Sequence, residues 1–535
     1  MEKRIDFVVG LDLTLNIYIM SHTLMTESHH TTIVEILTDD ILLEIFDWYR
    51  QTLLEQWTNT WKWVTLVHVC RRWRHVVFGS PCRLGLWLPC TYGTPVRRRL
   101  DCWPPLPIFI KYWANLEFRP PSSEDEDNLI AALEHPDRVR RIQLAVTSLQ
   151  LEKVAERMQT AFTGLTSLSL WLDKGPTPAL PKTFLAVSAF PHLRDISLVG
   201  VPFPGLPELL ASTIDLISLR LLEVPEAGYI PPDVMATCLS TLPHLRSLCI
   251  DFHSPLSTRH NRAGHRRLEP PMRRNSFPSL TSFNFRGTSE YLEDLVTNID
   301  APFLSEVNIS FFNQLIFDVP HLSRFIRQME VLKSAEVSEM ESSPGNGVSI
   351  TMTLDSDQDR DQDQNQDHSH LAVVAAGGNA TPSNSLEHHS LSLRVTCTDL
   401  DWQISSITQI CHQTSLLSNI KHIDIRADSI RLSRRDDEDD MIDSVPWLEF
   451  FHTFPSVVSL RICGELGPYV APALEDSVVD METIRKVLPE LGILLFECPR
   501  KSASVERFVA ARQLFSRPVI VRHAVFPWVS NDKYM

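Results

Sequence analysis

The sequence predicts an α/β repeat fold: a short helical unit at the N-terminal end, then an irregular solenoid of strand–loop–helix units. Three observations predict it. The frame L-x-x-L-x-L, with aliphatic or aromatic variants, recurs from Val139 to Phe496. A Pro stands two residues ahead of the frame in six copies. Two amphipathic stripes at helical spacing precede the first frame, between Leu37 and Val77. The 535 residues are 43% hydrophobic and 22% charged, enough to bury a large core. Composition thereby excludes a disordered chain, a collagen and a small disulfide scaffold. No apolar run reaches the roughly 18 residues of a membrane-spanning helix.

The N-terminal stretch begins MEKR and continues FVVGLDLTLNIYIM. Asp12 and Asn16 interrupt its apolar run, and no small-residue cleavage site follows, so it does not read as a secretory signal. Residues 1–32 are expected to be a leader, either disordered or upstream of a true start at Met20 or Met25.

The first helix is predicted in LTDDILLEIFDWYRQ. Thr38 or Asp39 can cap it, and Asp39 and Asp40 set negative charge at the positive end of the helix dipole. Ile41, Leu42, Ile45 and Phe46 recur at three- and four-residue spacing. A second helix is predicted in WKWVTLVHVCRRWRHVVF, ended by Gly79, Ser80 and Pro81. Eight of the 12 Trp fall before residue 114, so this end carries many large anchoring side chains. So short a unit cannot bury both stripes by itself, and part of its apolar surface is expected to face a partner. Each large side chain buried there would contribute about 1.5–3 kcal/mol.

These residues resemble the F-box. The positions that match the family are Leu37, Ile41, Leu42, Ile45, Phe46, Val69, Cys70 and Trp73. Two features depart from its pattern. Thr38 stands where the family carries Pro, which weakens the pre-set entry into the helix. RQTLLEQWTNTW lengthens the link between the helices, as in the F-box variant of mushroom-forming fungi. The resemblance implies a three-helix F-box over residues 33–88 that docks on the Skp-type adaptor of a cullin–RING ubiquitin ligase. The adaptor-binding candidates are Leu37, Ile41, Leu42, Ile45, Phe46, Cys70 and Trp73. Blocks further along, among them CTYGTPVRRRLDCWPPLPIFIKYW, DEDNLIAALEHPDRV, PPDVMATCLSTLPHLRSLCIDF and VERFVAARQLFSRPV, resemble uncharacterised F-box proteins of basidiomycete fungi.

Residues 89–137 are expected to be a linker region and 138–525 a leucine-rich-repeat-like solenoid, with 526–535 a tail. The frames are Val139/Ile142/Leu144, Leu165/Leu168/Leu170, Leu193/Ile196/Leu198, Leu216/Leu219/Leu221, Leu245/Leu248/Ile250, Leu280/Phe283/Phe285 and Leu304/Val307/Ile309. Later copies are Ile420/Ile423/Ile425, Val457/Leu460/Ile462 and Leu491/Leu494/Phe496. The preceding Pro residues are 191, 243, 278, 302, 455 and 489; each disfavours helix just before itself, closing one helix and launching the next strand. Each unit would bury its face only against its neighbours. The Asn or Cys that usually follows such a frame is mostly missing, with Asp173, Val201, Val224 and Thr288 in its place, so the array is expected to be irregular.

Residues 355–390 hold DSDQDRDQDQNQDHSH, a polar low-complexity stretch expected to be a disordered acidic/Gln insertion. DDEDDMID at 436–443 reads as a second acidic loop. The run 259–275 holds six Arg and two His; it reads as a solvated loop, the other reading being a site for phosphate, an acidic degron or RNA.

The net charge of −16 argues against a nucleic-acid partner, which needs many Lys or Arg on phosphates. The ten Cys include no C-x-x-C pair and sit mostly in apolar runs, which points to a reducing compartment, cytoplasm or nucleus. Cys82, Cys90 and Cys102 are too irregularly spaced for structural zinc. There is no phosphate-cradling G-x-x-x-x-G-K-[ST], no G-x-S-x-G elbow and no H-E-x-x-H. The His pairs 29/30, 368/370 and 388/389 lie in polar stretches without a packed surrounding shell. No enzyme, metal, cofactor or membrane is therefore expected. The expected function is substrate recognition in an SCF-type ligase, with the strand faces holding a target protein. The alternative is a non-catalytic repeat scaffold with no role in ubiquitin transfer.

Overall fold

The computed structural model describes residues 37–54, 66–79, 86–91, 95–102, 105–113, 122–172, 179–181, 184, 190–254, 274–312, 319–326, 334–337, 347–353, 390–396, 404–405, 408–410, 412, 420–425, 444–463, 467–479, 481–497 and 503–522. The leader, the stretch 355–389, the loop 436–443, the three His pairs and nearly all of the basic run 259–275 lie outside the described residues. The chain divides into two compact units, residues 1–142 and 143–535.

The first unit opens with helices. Thr38 O accepts the first helical hydrogen bond from Leu42 N at 3.1 Å, which puts Thr38 at the cap of α1 (Asp39–Leu54). The single second helix expected from the sequence is broken at Cys70 into α2 (Leu66–Val69) and α3 (Arg71–Gly79). Cys70 acts as the N-cap of α3: its Sγ accepts from Trp73 N at 3.4 Å, and its carbonyl accepts from Arg74 N at 3.1 Å. Arg74 Nε donates to Val67 O at 3.0 Å, satisfying a carbonyl left open where α2 ends.

Residues 89–137, expected as a linker, carry regular structure. Strand β1 (Leu86–Pro89) pairs parallel with β2 (Ile108–Trp113), with α4 (Val96–Cys102) between them. Helix α5 (Ser123–Leu133) follows, its N-terminus closed by a capping box in which Ser122 and Asp125 bond each other's backbone N–H. Asn128 on α5 accepts from Val96 N at 3.0 Å and donates to Thr91 O at 3.2 Å, tying the two helices of this segment together. Strand β3 (Val139–Val146) then carries the chain from the first unit into the second.

The second unit is a strand–helix succession. After α6 (Ser148–Arg157) come β4 (Ser167–Leu172), β5 (Asp195–Val199), α7 (Leu206–Ala211), β6 (Ser218–Val224), α8 (Pro232–Leu239) and β7 (Ser247–Phe252). Next are β8 (Asn275–Ser276), β9 (Ser282–Gly287), α9 (Ser289–Thr297), β10 (Ile299–Asp300), β11 (Glu306–Phe312) and α10 (Pro320–Ile326). Strands β12 (Ser334–Val337), β13 (Gly347–Thr353), β14 (Ser390–Thr396) and β15 (His422–Ile425) follow. The described chain closes with α11 (Val445–His452), β16 (Ser459–Cys463), α12 (Gly467–Asp476), α13 (Met481–Lys486), β17 (Ile493–Glu497), α14 (Ala503–Leu514) and β18 (Ile520–Arg522). Strands β4, β5, β6, β7, β9 and β11 pair parallel in that order, and β8 with β10 forms a separate two-stranded ribbon.

The expected architecture, a three-helix F-box followed by a leucine-rich-repeat-like solenoid, is corrected here. The chain forms an α/β fold on a large, mostly parallel sheet with helices. A stacked repeat lays each new strand beside the last and keeps all of them parallel. This sheet instead runs β11-β14-β13-β12-β15, and β13 pairs antiparallel with both β12 and β14. Among the described residues strand pairing also begins at Leu86, well before the first frame. A strand–helix rhythm is common to repeat arrays and to parallel α/β sheets, so the frames did not separate the two.

Burial alternates along β7 and β9, so one face of these strands is buried, and helices pack on it. In β9, Phe283 meets Phe325 of α10 at 5.7 Å, and Phe285 stacks on Tyr291 of α9 at 6.0 Å. Tyr291 donates its hydroxyl to Ile230 O at 2.9 Å, so this buried polar group of the aromatic cluster is satisfied. Two buried charged groups have structural partners. The Glu293 carboxylate on α9 accepts from His321 N at 2.9 Å and Leu322 N at 2.7 Å, capping α10. Arg512 on α14 donates to the carbonyls of Leu488 and Leu491, closing the turn ahead of β17.

Candidate functional site: the N-terminal helical surface

On α1, residues four apart share a face, and a step of one residue turns the face by about 100°. Ile41 and Ile45 therefore form one row and Leu42 and Phe46 the next. The structure separates the rows. Leu42 is 0% and Phe46 1% exposed, whereas Ile41 is 46% and Ile45 42% exposed. Phe46 packs edge-on against Trp73 of α3, centroids 4.9 Å apart. Val76 and Val77 of α3 and Leu66 and Val67 of α2 are buried too, so the small core is closed by its own helices.

The structure spreads the seven sequence-predicted positions over an inward side, an outward row and two half-buried places. Leu42, Phe46 and Trp73 lie together on the inward side, Trp73 being half-buried with its indole N–H enclosed and unbonded. Cys70 is half-buried at the helix break. Ile41 and Ile45 face outward, and Leu37 is half-buried just ahead of the cap. Val69, matched in the family pattern but absent from the candidate set, is 56% exposed at the end of α2. Its match to the family pattern was the available signal.

Electrostatics fix the entry of α1 onto α3. Arg72 bonds Asp39 Oδ1 at 2.8 Å and also donates to Leu37 O. Asp39 in the first turn faces the positive end of the helix dipole, so this acid is held from two sides. The pair is solvent-exposed and worth at most about 1 kcal/mol, but it fixes the direction in which Leu37 enters the helix.

The second surface of interest is the strand face turned away from the helices. On β7, Ser247, Cys249 and Asp251 alternate with the buried Leu248, Ile250 and Phe252. Burial pushes the Cys249 thiol up to about 12 and leaves it unreactive at neutral pH. Burial also pushes the Asp251 carboxyl up to about 6; Arg286 opposes the rise from 3.8 Å, and Glu223 adds to it. Among the described residues no group of three His, Cys, Asp or Glu could hold a metal ion, and no helix is long and apolar enough to cross a membrane. Cys70, Cys90, Cys238 and Cys249 carry free thiols. No known family model matches the sequence, and no curated protein does.

Proposed function

We propose that the chain is a substrate-recognition subunit of an SCF-type cullin–RING ubiquitin ligase. The helices α1–α3 dock on the Skp-type adaptor, and the sheet of the second unit holds the target. One observation carries the reading: Ile41, Ile45 and Val69 stay exposed on a unit whose own core is already closed by Leu42, Phe46, Val76 and Val77. Exposed aliphatic side chains on so small a unit are the surface a partner would cover. Each is about half exposed, so covering it fully would contribute about half of the roughly 1.5–3 kcal/mol of a fully exposed side chain, set against the cost of association. The sequence resemblance to the F-box supplies the partner's identity. A receptor of this kind needs no catalytic group, since it works by raising the concentration of target near the ligase. Work in the cytoplasm or nucleus fits the free thiols.

The test is co-purification of adaptor and cullin with the full chain. Wild type recovers both. The Ile41→Asp/Ile45→Asp double variant recovers neither while melting at the wild-type temperature. Equal recovery by the two proteins would support the scaffold alternative, a binding protein outside ubiquitin transfer.

A further inference from the structure

The strand face opposite the helices is most built between β7, β9 and β11. In register, Ser247, Ser282 and Glu306 form one row, and Cys249, Asn284 and Asn308 the next. Four of these side chains, Ser282, Asn284, Glu306 and Asn308, make a connected network. Glu306 Oε2 accepts from Ser282 Oγ at 2.9 Å, and Oε1 accepts from Asn308 Nδ2 at 2.8 Å. Asn308 Nδ2 also donates to Asn284 Oδ1 at 2.7 Å, and Asn284 Nδ2 to Ser282 Oγ at 3.3 Å. All four residues are half-buried, so the group is held in place yet open on one side.

The network fixes a carboxylate with neutral donors alone. Two cations on this face are placed elsewhere: Arg286 lies 3.8 Å from Asp251 and over the Phe312 ring at 5.6 Å, and Arg220 stands on β6 opposite Cys249, three strands away from β11. On the far side, β14 sets Ser390 opposite Glu306 and its first cation, Arg394, opposite Ser310, four residues along and about 13 Å away in strand rise. Glu306 is thus a pre-oriented negative charge without a described counter-ion, and pre-orientation lowers the cost of binding one. Beside it, Ser218, Ser247 and Ser282 line up across β6, β7 and β9, a low floor that lets a backbone approach.

We propose that this face takes an extended target segment whose arginine or lysine side chain pairs with the Glu306 carboxylate. It rests on the reading of the second unit as the target-holding part and gives that target a chemistry.

The probe is a displayed library of random peptides selected against the purified full chain. Wild type enriches sequences with Arg or Lys. Glu306→Gln keeps the shape and loses the enrichment, and the best Arg peptide binds it about tenfold more weakly, the equivalent of about 1.4 kcal/mol. Glu306→Lys turns the preference to Asp and Glu. Glu152→Lys makes the same charge change on an exposed position of α6 and leaves the basic preference intact. That control separates a local pairing from the pull of the −16 net charge. A wild-type selection that enriches no sequence, or a basic preference that persists in Glu306→Lys, overturns the proposal. Adaptor recovery is scored on the same preparations. Recovery without a Glu306-dependent preference removes this inference alone. A Glu306-dependent preference without recovery removes the ligase reading alone.

Discussion

Ile45 and Phe46 are adjacent in the chain and differ in what their loss does. Phe46 is 1% exposed against Trp73, so Phe46→Ala empties a core position and costs about 3–5 kcal/mol. The expected result is a separate, lower melting step for the N-terminal helices, seen by calorimetry, with adaptor binding lost through unfolding. Ile45→Asp on the outward row leaves that step in place. Asp251 gives a second prediction, in pH. An acid whose folded pKa is raised binds more protons in the fold than in the open chain between about 3.8 and about 6. Its contribution to stability therefore falls as pH rises through that window and stays at the lower value above it. Asp251→Asn does not titrate. The melting-temperature difference, variant minus wild type, is expected to rise across the window and to be flat below it. Parallel curves would show that the carboxyl is not raised. The attraction of Arg286 titrates with the carboxyl and is already contained in the raised pKa, so it adds no separate offset.

At the scale of elements, polar side chains decide where helices start. Glu293 holds two otherwise open N–H groups at the head of α10. Glu293→Ala is expected to cost about 1–2 kcal/mol in denaturant unfolding, as the loss of a helix cap does. An unchanged midpoint would mean that water serves those N–H groups equally well. The elements legible in the sequence were those with strong punctuation. Leu193, Ile196 and Leu198, launched by Pro191, sit on or just ahead of β5 and are 0–3% exposed. PPDVMATCLSTL and YLEDLVTNI lie on α8 and α9. The elements missed had no such marks. LWLP and IFIKYW form β1 and β2 without the frame. The break at Cys70 depends on a thiol acting as cap, a weak acceptor that no spacing announces. The β12–β13–β14 excursion hides beside the low-complexity run, where local pattern says nothing of antiparallel pairing. For the candidate site, the four apolar residues Ile41, Leu42, Ile45 and Phe46 were legible as a stripe. Which half turns inward depends on where α3 lies, and local periodicity does not contain that.

For the molecule as a whole, two kinds of surface stand out. One is an aliphatic row on the N-terminal helices, the other a polar strand face in the second unit. Their chemistries suit different partners: burying Ile41 and Ile45 would give salt-insensitive affinity, while pairing at Glu306 would weaken as salt rises. A chain of −16 net charge resists non-specific association with nucleic acid and with other acidic proteins, so its partners must be matched locally. The central claim is that the outward aliphatic row binds the Skp-type adaptor. Titration calorimetry of the purified full chain with that adaptor tests it most directly. The predicted result is saturable one-to-one binding for wild type, weakened at least about a hundredfold by Ile41→Asp/Ile45→Asp, since about 1.4 kcal/mol is lost per tenfold and the variant sets two unpaired carboxylates under the partner in place of two aliphatic side chains. Binding of equal strength by both proteins, or none by the folded wild type, would contradict it.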